Sequence, residues 1–369
     1  MTEDMDIPPE PSRRILIVAD GKSGITATQD ISFLQPYKTL AEGERAPDFT
    51  IAPHFERGSD MRDLIARTRP DLVILSRYTA ANGIDWADIA HKAGRPVLYH
   101  IDDDLLAVPM SLGEAKYRHY NDPVRLAALR ANIEAADMVY VSTGPLKERF
   151  AAHHIKTPVV AGDIYCAVDP EAVGALAAPA NGPVIGYMGT GGHSADLAMV
   201  MPAIVELMER IAQLQFEVFG TIKMPEELKR FGPRARHLPP VADYSDFLPS
   251  LRSLGWWVGL APLEDNEFNR CKADTKWVEY SLAGMASVAS DLPVYARAAE
   301  GGSALLAGES EAWREAILSL LLDRALRART VKKAQDKLLR TYSHAALRAQ
   351  LDKVFAKLEA IRPADDTSL

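Results

Sequence analysis

Cysteine is almost missing from this chain of 369 residues: there are two, Cys166 and Cys271, and neither has metal-ligand spacing. That speaks against a disulfide framework or a zinc module and for a reducing compartment. Long apolar runs are missing too. No stretch of ~18 apolar residues occurs, so no membrane-spanning helix is expected. Residues 1–12 are acidic and proline-rich and lack the apolar centre of a signal peptide, so they read as a disordered lead-in. Positive charge is not in excess, with 42 Lys and Arg against 50 Asp and Glu and a formal net charge of −8. Such a chain repels nucleic acid and anionic lipid at long range, which argues against either as its main partner and leaves room for a local basic pocket. No internal repeat of 20–50 residues is seen. What is present is ordinary for a globular protein, 47% hydrophobic and 25% charged residues, in a length that suits two domains.

Residues 14–19, Arg-Ile-Leu-Ile-Val-Ala, form a short apolar run followed by the glycine turn Asp20-Gly21-Lys22-Ser23-Gly24. Unbroken apolarity marks a strand covered on both faces, hence a parallel sheet. The signature recurs at 72–75, 97–101 and 138–141, with helical patterns at 60–68, 86–93 and 123–136 between. Such alternation is the doubly wound α/β pattern. An Ala-, Pro-, Asn- and Gly-rich stretch at 175–183 reads as a linker. A second series follows, with strands expected at 184–188, 216–219, 256–260 and 286–289 and helices at 195–213 and 312–322. Beyond 322 the pattern is helical and charged to about 361. The expected layout is a lead-in over 1–12, a first domain over 13–175, a second over 176–335 and a helical tail over 336–369. Two doubly wound domains place a cleft between them, and ligands bind beyond the carboxyl ends of such strands.

Three segments carry candidate chemistry. In Gly186-Tyr187-Met188-Gly189-Thr190-Gly191-Gly192-His193-Ser194 a strand ends in a glycine cluster before a helix. Bare backbone and helix N-terminal amides there suit a diphosphate, and a plain tight turn is the alternative. The third glycine of the dinucleotide fingerprint is absent, and Leu16 stands where a Walker A loop ending at Gly21-Lys22-Ser23 needs glycine. In His100-Ile101-Asp102-Asp103-Asp104, the adjacent carboxylates suit a divalent cation, sugar hydroxyls, or a solvated turn that caps a helix. His100 fits either the core edge or the cleft. In the third segment, 261–284, a polar loop leads to a helix expected over 273–283, with Gly284 as its stop. Lys272 and Lys276 are four apart and Glu279 three further on, which puts them on one helix face. Cations suit phosphates and a carboxylate suits vicinal ribose hydroxyls. A solvated salt-bridged stripe opposite Trp277, Tyr280 and Leu282 is the alternative.

The segment Lys276-Trp277-Val278-Glu279-Tyr280-Ser281-Leu282-Ala283-Gly284-Met285-Ala286-Ser287-Val288-Ala289-Ser290 resembles the K-x-x-E-Y/A-x-A-x-G-x-P-V-V-A-S signature of GT-B-fold nucleotide-sugar glycosyltransferases, most like glycosyltransferase family 4. Val168-Asp169-Pro170-Glu171 resembles that family's inter-domain connection, residues 184–189 its first strand of the second domain, and 342–358 its helix crossing back to the first. The resemblance implies a GT-B fold, two Rossmann-like domains facing across a cleft. It implies Glu279 on the donor ribose, Lys272 or Lys276 on the diphosphate, and Gly189, Thr190, Gly191 and Gly192 beneath the phosphates. Gly21 and Gly24 would lie in a loop closing over the donor. The family's first glutamate of an E-x7-E pair falls at Cys271, a departure that hands sugar contact to Asn266, Glu267 or Asn269. No metal or other cofactor is implied. Cations and helix N-termini would stabilise the departing diphosphate. An inverting route would add a base from His100, Asp102 or Asp103; the family similarity favours retention, which needs none. The expected partners are a nucleotide-sugar donor and a glycan, lipid-linked or small-molecule acceptor, without nucleic acid and with at most peripheral membrane contact. That would suit polysaccharide biosynthesis in the cytoplasm or at the inner face of the membrane. A binding or regulatory protein without catalysis and a GT-B epimerase are the alternatives. The basic stretch 324–333 reads as a membrane-facing or, with Asp323 and Asp336 interrupting it, a solvated helix face.

Overall fold

The computed structural model describes residues 12–20, 25–41, 43–52, 57–177, 182–241 and 244–361. The first domain holds strands β1 (Arg14–Ala19), β2 (Asp48–Ile51), β3 (Leu72–Ser76), β4 (Val97–Ile101), β5 (Met138–Val141) and β6 (Val159–Ala161). The second holds β7 (Val184–Gly189), β8 (Gln215–Gly220), β9 (Ala235–Leu238), β10 (Val258–Ala261), β11 (Ala286–Ser290) and β12 (Leu305–Ala307). Each set forms one six-stranded sheet, ordered β2-β1-β3-β4-β5-β6 and β12-β11-β10-β7-β8-β9, and the pairings are parallel. All residues of β3, β4, β5 and β11 are buried, as expected where helices cover both faces. No described helix is long and apolar enough to cross a membrane.

Strand order reverses between β1 and β3 in the first sheet and between β7 and β10 in the second, so each sheet has a crevice at that switch point. In the second sheet the divergence is visible in the register. β7 and β10 pair only at Ile185 with Val258 and Gly186 with Gly259. Beyond that point the Tyr280 hydroxyl spans the gap, accepting from the Met188 amide at 3.1 Å and donating to the Leu260 carbonyl at 2.9 Å. Its ring needs Gly259, where a Cβ would lie 2.5 Å from the ring.

Some elements differ from expectation. The helix expected over 195–213 is two, Ser194–Ala198 and Met201–Arg210. Pro202 lacks an N–H and sits in the first turn of the second, where none is needed. The tail is also two helices, Arg324–Thr341 and His344–Ile361. The first buries Val331, Ala334 and Leu338 and packs on β11 and the helix Ser310–Leu322, so the boundary expected at 336 lies inside an element of the second domain. Nor is its basic face wholly outward: Arg327 is buried, 3.9 Å over the Trp257 ring, and donates to Leu320 O at 2.7 Å. The edge strands β2, β9 and β12 went unanticipated because they are short, and β2 and β9 are largely outside the core. The central part of the expected linker, 178–181, and the expected lead-in through 11 lie outside the described residues.

The return to the first domain occurs at Tyr342 and Ser343. Val168 N donates to Tyr342 O at 2.7 Å and His344 N to Val168 O at 3.1 Å, so the outgoing and returning chains pair where they pass between the domains. The helix His344–Ile361 then docks on the first domain. Arg348 donates to Pro36 O and Thr39 O, each at 2.6 Å, and to Glu44 at 2.6 Å. Gln350 donates to Tyr140 Oη at 2.7 Å and Ile164 O at 2.8 Å. Removing the Arg348 guanidinium strands two carbonyls and a carboxylate. Arg348→Ala is expected to lower stability by about 2 kcal/mol, read as a lower denaturation midpoint; an unchanged midpoint would show that this contact does not hold the tail.

Candidate functional site

Helix Thr275–Leu282 starts at the mouth of the β7/β10 crevice. Trp277, Val278, Tyr280 and Leu282 are packed in the core, while Lys276 and Glu279 line a cavity of about 450 Å³ between the domains, which Ala27 and Ile31 close from the first. The stripe is therefore not a solvated surface. Glu279 is 6% exposed and accepts from the Tyr244 hydroxyl at 3.0 Å. Burial pushes its carboxyl up to about 7, against the opposing pull of Tyr244 and Lys276. Lys276 is pushed down to about 8, by burial first and then by the neighbouring charge of Lys272. Its ammonium stands 5.7 Å over the Tyr187 ring.

The far wall is aromatic. Phe219, near the end of β8, stacks on Phe247 at 5.5 Å and 9°, and Phe247 stacks on Tyr244 at 5.8 Å and 13°. Phe247 and Tyr244 belong to helix Tyr244–Ser253. The near wall is the loop after β7, with Gly189, Thr190 and His193. Backbone must come close here. A Cβ on Gly220 (φ +119°) would lie 2.4 Å from Gly189 O, and one on Gly192 would lie 2.4 Å from the Lys116 ammonium. Lys116 reaches this loop from the first domain, on helix Glu114–Tyr120. Its pKa is lowered by partial burial and by Lys272.

A second cavity of about 170 Å³ shares His193, Thr275 and Lys276 with the first and adds Asp102, Asp103, Tyr165 and Lys272. A third, of about 200 Å³, shares Tyr165, Lys272 and Ala273 with the second and is walled by Thr143, Asp163, Arg270 and Arg297. The three form one path across the carboxyl ends of both sheets.

Asp102 accepts from Arg77 at 2.7 Å, from Tyr165 Oη at 2.7 Å and from Thr28 Oγ1 at 3.2 Å. Asp103 pairs with Lys272 at 3.1 Å across the cleft and with Arg77 at 3.6 Å. Burial alone would raise its carboxyl, yet Lys272 and Arg77 hold it down at about 2. Asp104 points elsewhere: 1% exposed, it takes Arg149 at 2.9 Å and His153 at 2.8 Å. Each of the three adjacent carboxylates thus has its own donors from the protein. Among the described residues no group of three or more His, Cys, Asp or Glu could hold a metal ion.

The structure does not bring every expected residue to the cleft. His100 lies inside the first domain, 1% exposed, with Nδ1 2.9 Å from Ser76 Oγ and Phe33 edge-on at 4.7 Å. Burial lowers its pKa to about 4, so of its two readings the interior one holds. Asn269 is 3% exposed and donates to Asp196 at 3.2 Å and Glu264 O at 3.0 Å, which knits the loop after β10 rather than lining a cavity. Cys271 packs among first-domain residues, and its carbonyl accepts from Thr143 at 2.7 Å. Its thiol is pushed up to about 12, by burial first and then by Asp104; a carboxylate in this place would meet the same two penalties. Gly21 and Gly24 lie outside the described residues. Conversely, sequence reasoning passed over Lys116, His193, Phe219, Tyr244 and Phe247. A Tyr and Phe three apart on a helix, and a His and Asp three apart after a glycine loop, were the available signals.

The chain matches no protein-family model and no curated protein sequence. Its architecture does match solved structures of the GT-B class: two parallel Rossmann-like sheets facing across a cleft, with a terminal helix returning to the first domain. Crystal structures of the Anabaena protein HepE with UDP-glucose (TM-score 0.67, 15% identity, 94% of this chain and 100% of that one) and of a UDP-forming α,α-trehalose-phosphate synthase from Burkholderia xenovorans (TM-score 0.62, 13%, 95% and 100%) superpose on it. So does the E. coli trehalose-6-phosphate protein bound to UDP-2-fluoro-glucose (TM-score 0.60, 13%, 95% and 100%). The fold is GT-B.

Glu279 supplies a test that needs no substrate. Its folded-state pKa of about 7 lies above the ordinary 4.5, so the fold favours the neutral acid. That contribution is complete below pH ~4.5 and is lost as pH rises through about 7. Glu279→Gln, neutral throughout, is expected to remove this loss and to be more stable than the parent at pH 8 by about 3 kcal/mol, with near-equal stability at pH 4.5. Denaturation at the two pH values checks it, and parallel pH profiles would refute the buried-acid assignment.

Proposed function

We propose that this protein is a glycosyltransferase that takes a nucleoside-diphosphate sugar. The observation that carries the reading is an order of chemistries along one crevice: a stacked aromatic wall (Phe219, Phe247), a buried carboxylate (Glu279), then two lysines (Lys276, Lys272) beside a glycine loop. A base stacks on the first, ribose hydroxyls donate to the second and the diphosphate lies on the third. The solved structures it resembles include ones holding UDP and UDP-glucose, which supports UDP as the carrier and a hexose as the group moved.

The chemistry asked of the protein is departure of the diphosphate. Lys276, Lys272 and Lys116 converge on the region where negative charge grows, in a site already partly dry, so their attraction is stronger than in bulk water. No metal is called upon. The acceptor enters by the third cavity, whose polar walls suit a hydroxyl-bearing glycan or lipid-linked head. Asp102 and Asp103 face the space between donor and acceptor. Asp103, held down by Lys272 and Arg77, is a weak base, and Asp102 already accepts from Arg77, Tyr165 and Thr28, which supports retention over a base-assisted inverting route. The segment 276–290 and the returning helix are those of glycosyltransferase family 4 in this reading, and the setting is polysaccharide synthesis in the cytoplasm or at its membrane face.

Thermal unfolding with UDP, GDP, dTDP and ADP, each alone and as its sugar conjugate, is expected to single out one nucleotide. At a hundred times its dissociation constant that ligand should stabilise by ~2.7 kcal/mol. Lys276→Ala should weaken its binding at least about tenfold, the size of one charge-assisted hydrogen bond. No shift with any of the eight compounds would sink the proposal.

A further inference from the structure

His193 lies with Thr275 and Lys276 at the junction of the first two cavities. Its Nδ1 lies 2.8 Å from Asp196 Oδ2. Asp196, 3% exposed, is itself fixed: Oδ1 accepts the Glu264 amide at 2.8 Å and the Asn269 amide nitrogen at 3.2 Å. The carboxyl is held below its usual range because the hydrogen bonds from His193 and Glu264 outweigh burial. An ionised carboxylate only accepts, so Nδ1 carries the hydrogen and the neutral ring keeps its lone pair on Nε2. That nitrogen has no hydrogen-bond partner among the described residues.

The charges around the ring come from four places. Lys276 stands on helix Thr275–Leu282 and Lys272 on the loop after β10; Asp196 is on the ring's own turn, and Asp103 approaches from the first domain. Lys116 reaches the adjoining Gly192. Repulsion from Lys276, then burial, lowers the imidazole pKa to about 4 against the pull of Asp196. At neutral pH the ring is therefore uncharged. A diphosphate laid on Lys272 and Lys276 brings negative charge into the space where two ammonium groups now repel the proton. The sign of the local field at Nε2 then reverses.

We propose that His193 is a further catalytic residue, which takes up a proton when the donor diphosphate binds and presents it through Nε2 to the departing phosphate, with Asp196 as its positioning residue. The inference rests on the donor-site reading above. In the transfer step the bond from the sugar's anomeric carbon to the phosphate oxygen breaks, and its electron pair stays on that oxygen, where the Nε2–H hydrogen bond receives it. The new bond forms between the anomeric carbon and the acceptor oxygen, whose proton passes to the diphosphate or solvent. His193 takes its proton from solvent on binding and gives it back to solvent when the diphosphate leaves, which returns the ring to the neutral state.

The test uses the whole protein and UDP, with GDP, dTDP and ADP as replacements should UDP fail to bind. Titration calorimetry in two buffers of different ionisation enthalpy counts protons exchanged on binding at pH 6.5. The parent protein is expected to take up more protons than His193→Gln, by a difference approaching one, while the variant still binds within about fivefold. In wild-type protein, long-range nitrogen–proton NMR should show the His193 ring gaining its second proton on binding. Turnover of His193→Gln is expected to fall about 10²-fold at little changed donor KM, and Asp196→Asn should move the pH profile of kcat, which a merely structural aspartate would not. Binding with equal proton counts in parent and variant, or a His193 ring that stays neutral in the wild-type complex, overturns this inference and leaves the donor site standing. Failure of all four diphosphates to bind overturns both.

Discussion

The site depends on two strands that stop pairing. β7 and β10 share two register positions and then separate, and the Tyr280 hydroxyl keeps them apart by bonding to both backbones. The Met188 amide and the Leu260 carbonyl that the hydroxyl engages are the groups a continued ladder would use. Because the gap stays open, the loop after β7 and the loop after β10 leave the sheet on opposite sides of a crevice, and helix Thr275–Leu282 starts between them. Tyr280 is also on that helix. One residue therefore fixes both the width of the crevice and the height at which Lys276 and Glu279 meet it. Gly259 is the condition for this, as its missing side chain is the room the ring occupies.

Three of the groups so placed, Glu279, Lys276 and His193, are displaced from their ordinary protonation behaviour in a consistent sense. Glu279 is pushed up, Lys276 and His193 down, by burial and by one another. Each shift means that the charged form is disfavoured in the empty protein. A fold that only needed stability would place neutral groups here. A ligand that is anionic at one end and rich in hydroxyls at the other relieves every one of these penalties at once, so the same burial that weakens the empty state strengthens binding. On the proposed reading, this is the electrostatic sense in which the crevice suits a nucleoside diphosphate better than a neutral sugar.

Much of this was legible in the chain itself. β3, β4 and β5 are almost unbroken apolar runs because helices cover them on both sides, and burial on two faces leaves few polar positions to blur the pattern. Lys272, Lys276 and Glu279 could be read because helical spacing alone puts them on one face. What could not be read depends on tertiary approach. Lys116 stands 76 positions before Gly192, and nothing local says that its ammonium fills the space a side chain would take there. His100 and Asp102 are two apart and would share one face of a continuous strand, but β4 ends at Ile101 and Asp102 lies in the turn beyond it. Only the packing of Phe33 and Ser76 decides that the histidine is the inner one. Asp104, expected to share the fate of its neighbours, is drawn away by Arg149 and His153 from a helix that follows it by some 45 residues.

The cross-cleft contacts show how the two domains are coupled to that crevice. Asp103 holds Lys272 at 3.1 Å, Arg149 holds Glu267 at 2.8 Å and Thr143 holds the Cys271 carbonyl at 2.7 Å. All three partners on the second domain belong to the segment after β10, and Arg297, on helix Pro293–Ala299, adds another contact by donating to Asp163 O at 2.8 Å. Lys272 is the one of them that also lines the donor path. A phosphate arriving there competes with Asp103 for the same ammonium, and exchange of one anion for another on a lysine costs little in net charge. Asp103 would be left beside Arg77, which already lies 3.6 Å away and keeps it ionised. On the proposed reading, binding at the donor end is tied to an interdomain ion pair, while the paired chains at Val168 and Tyr342–His344 join the domains independently of it.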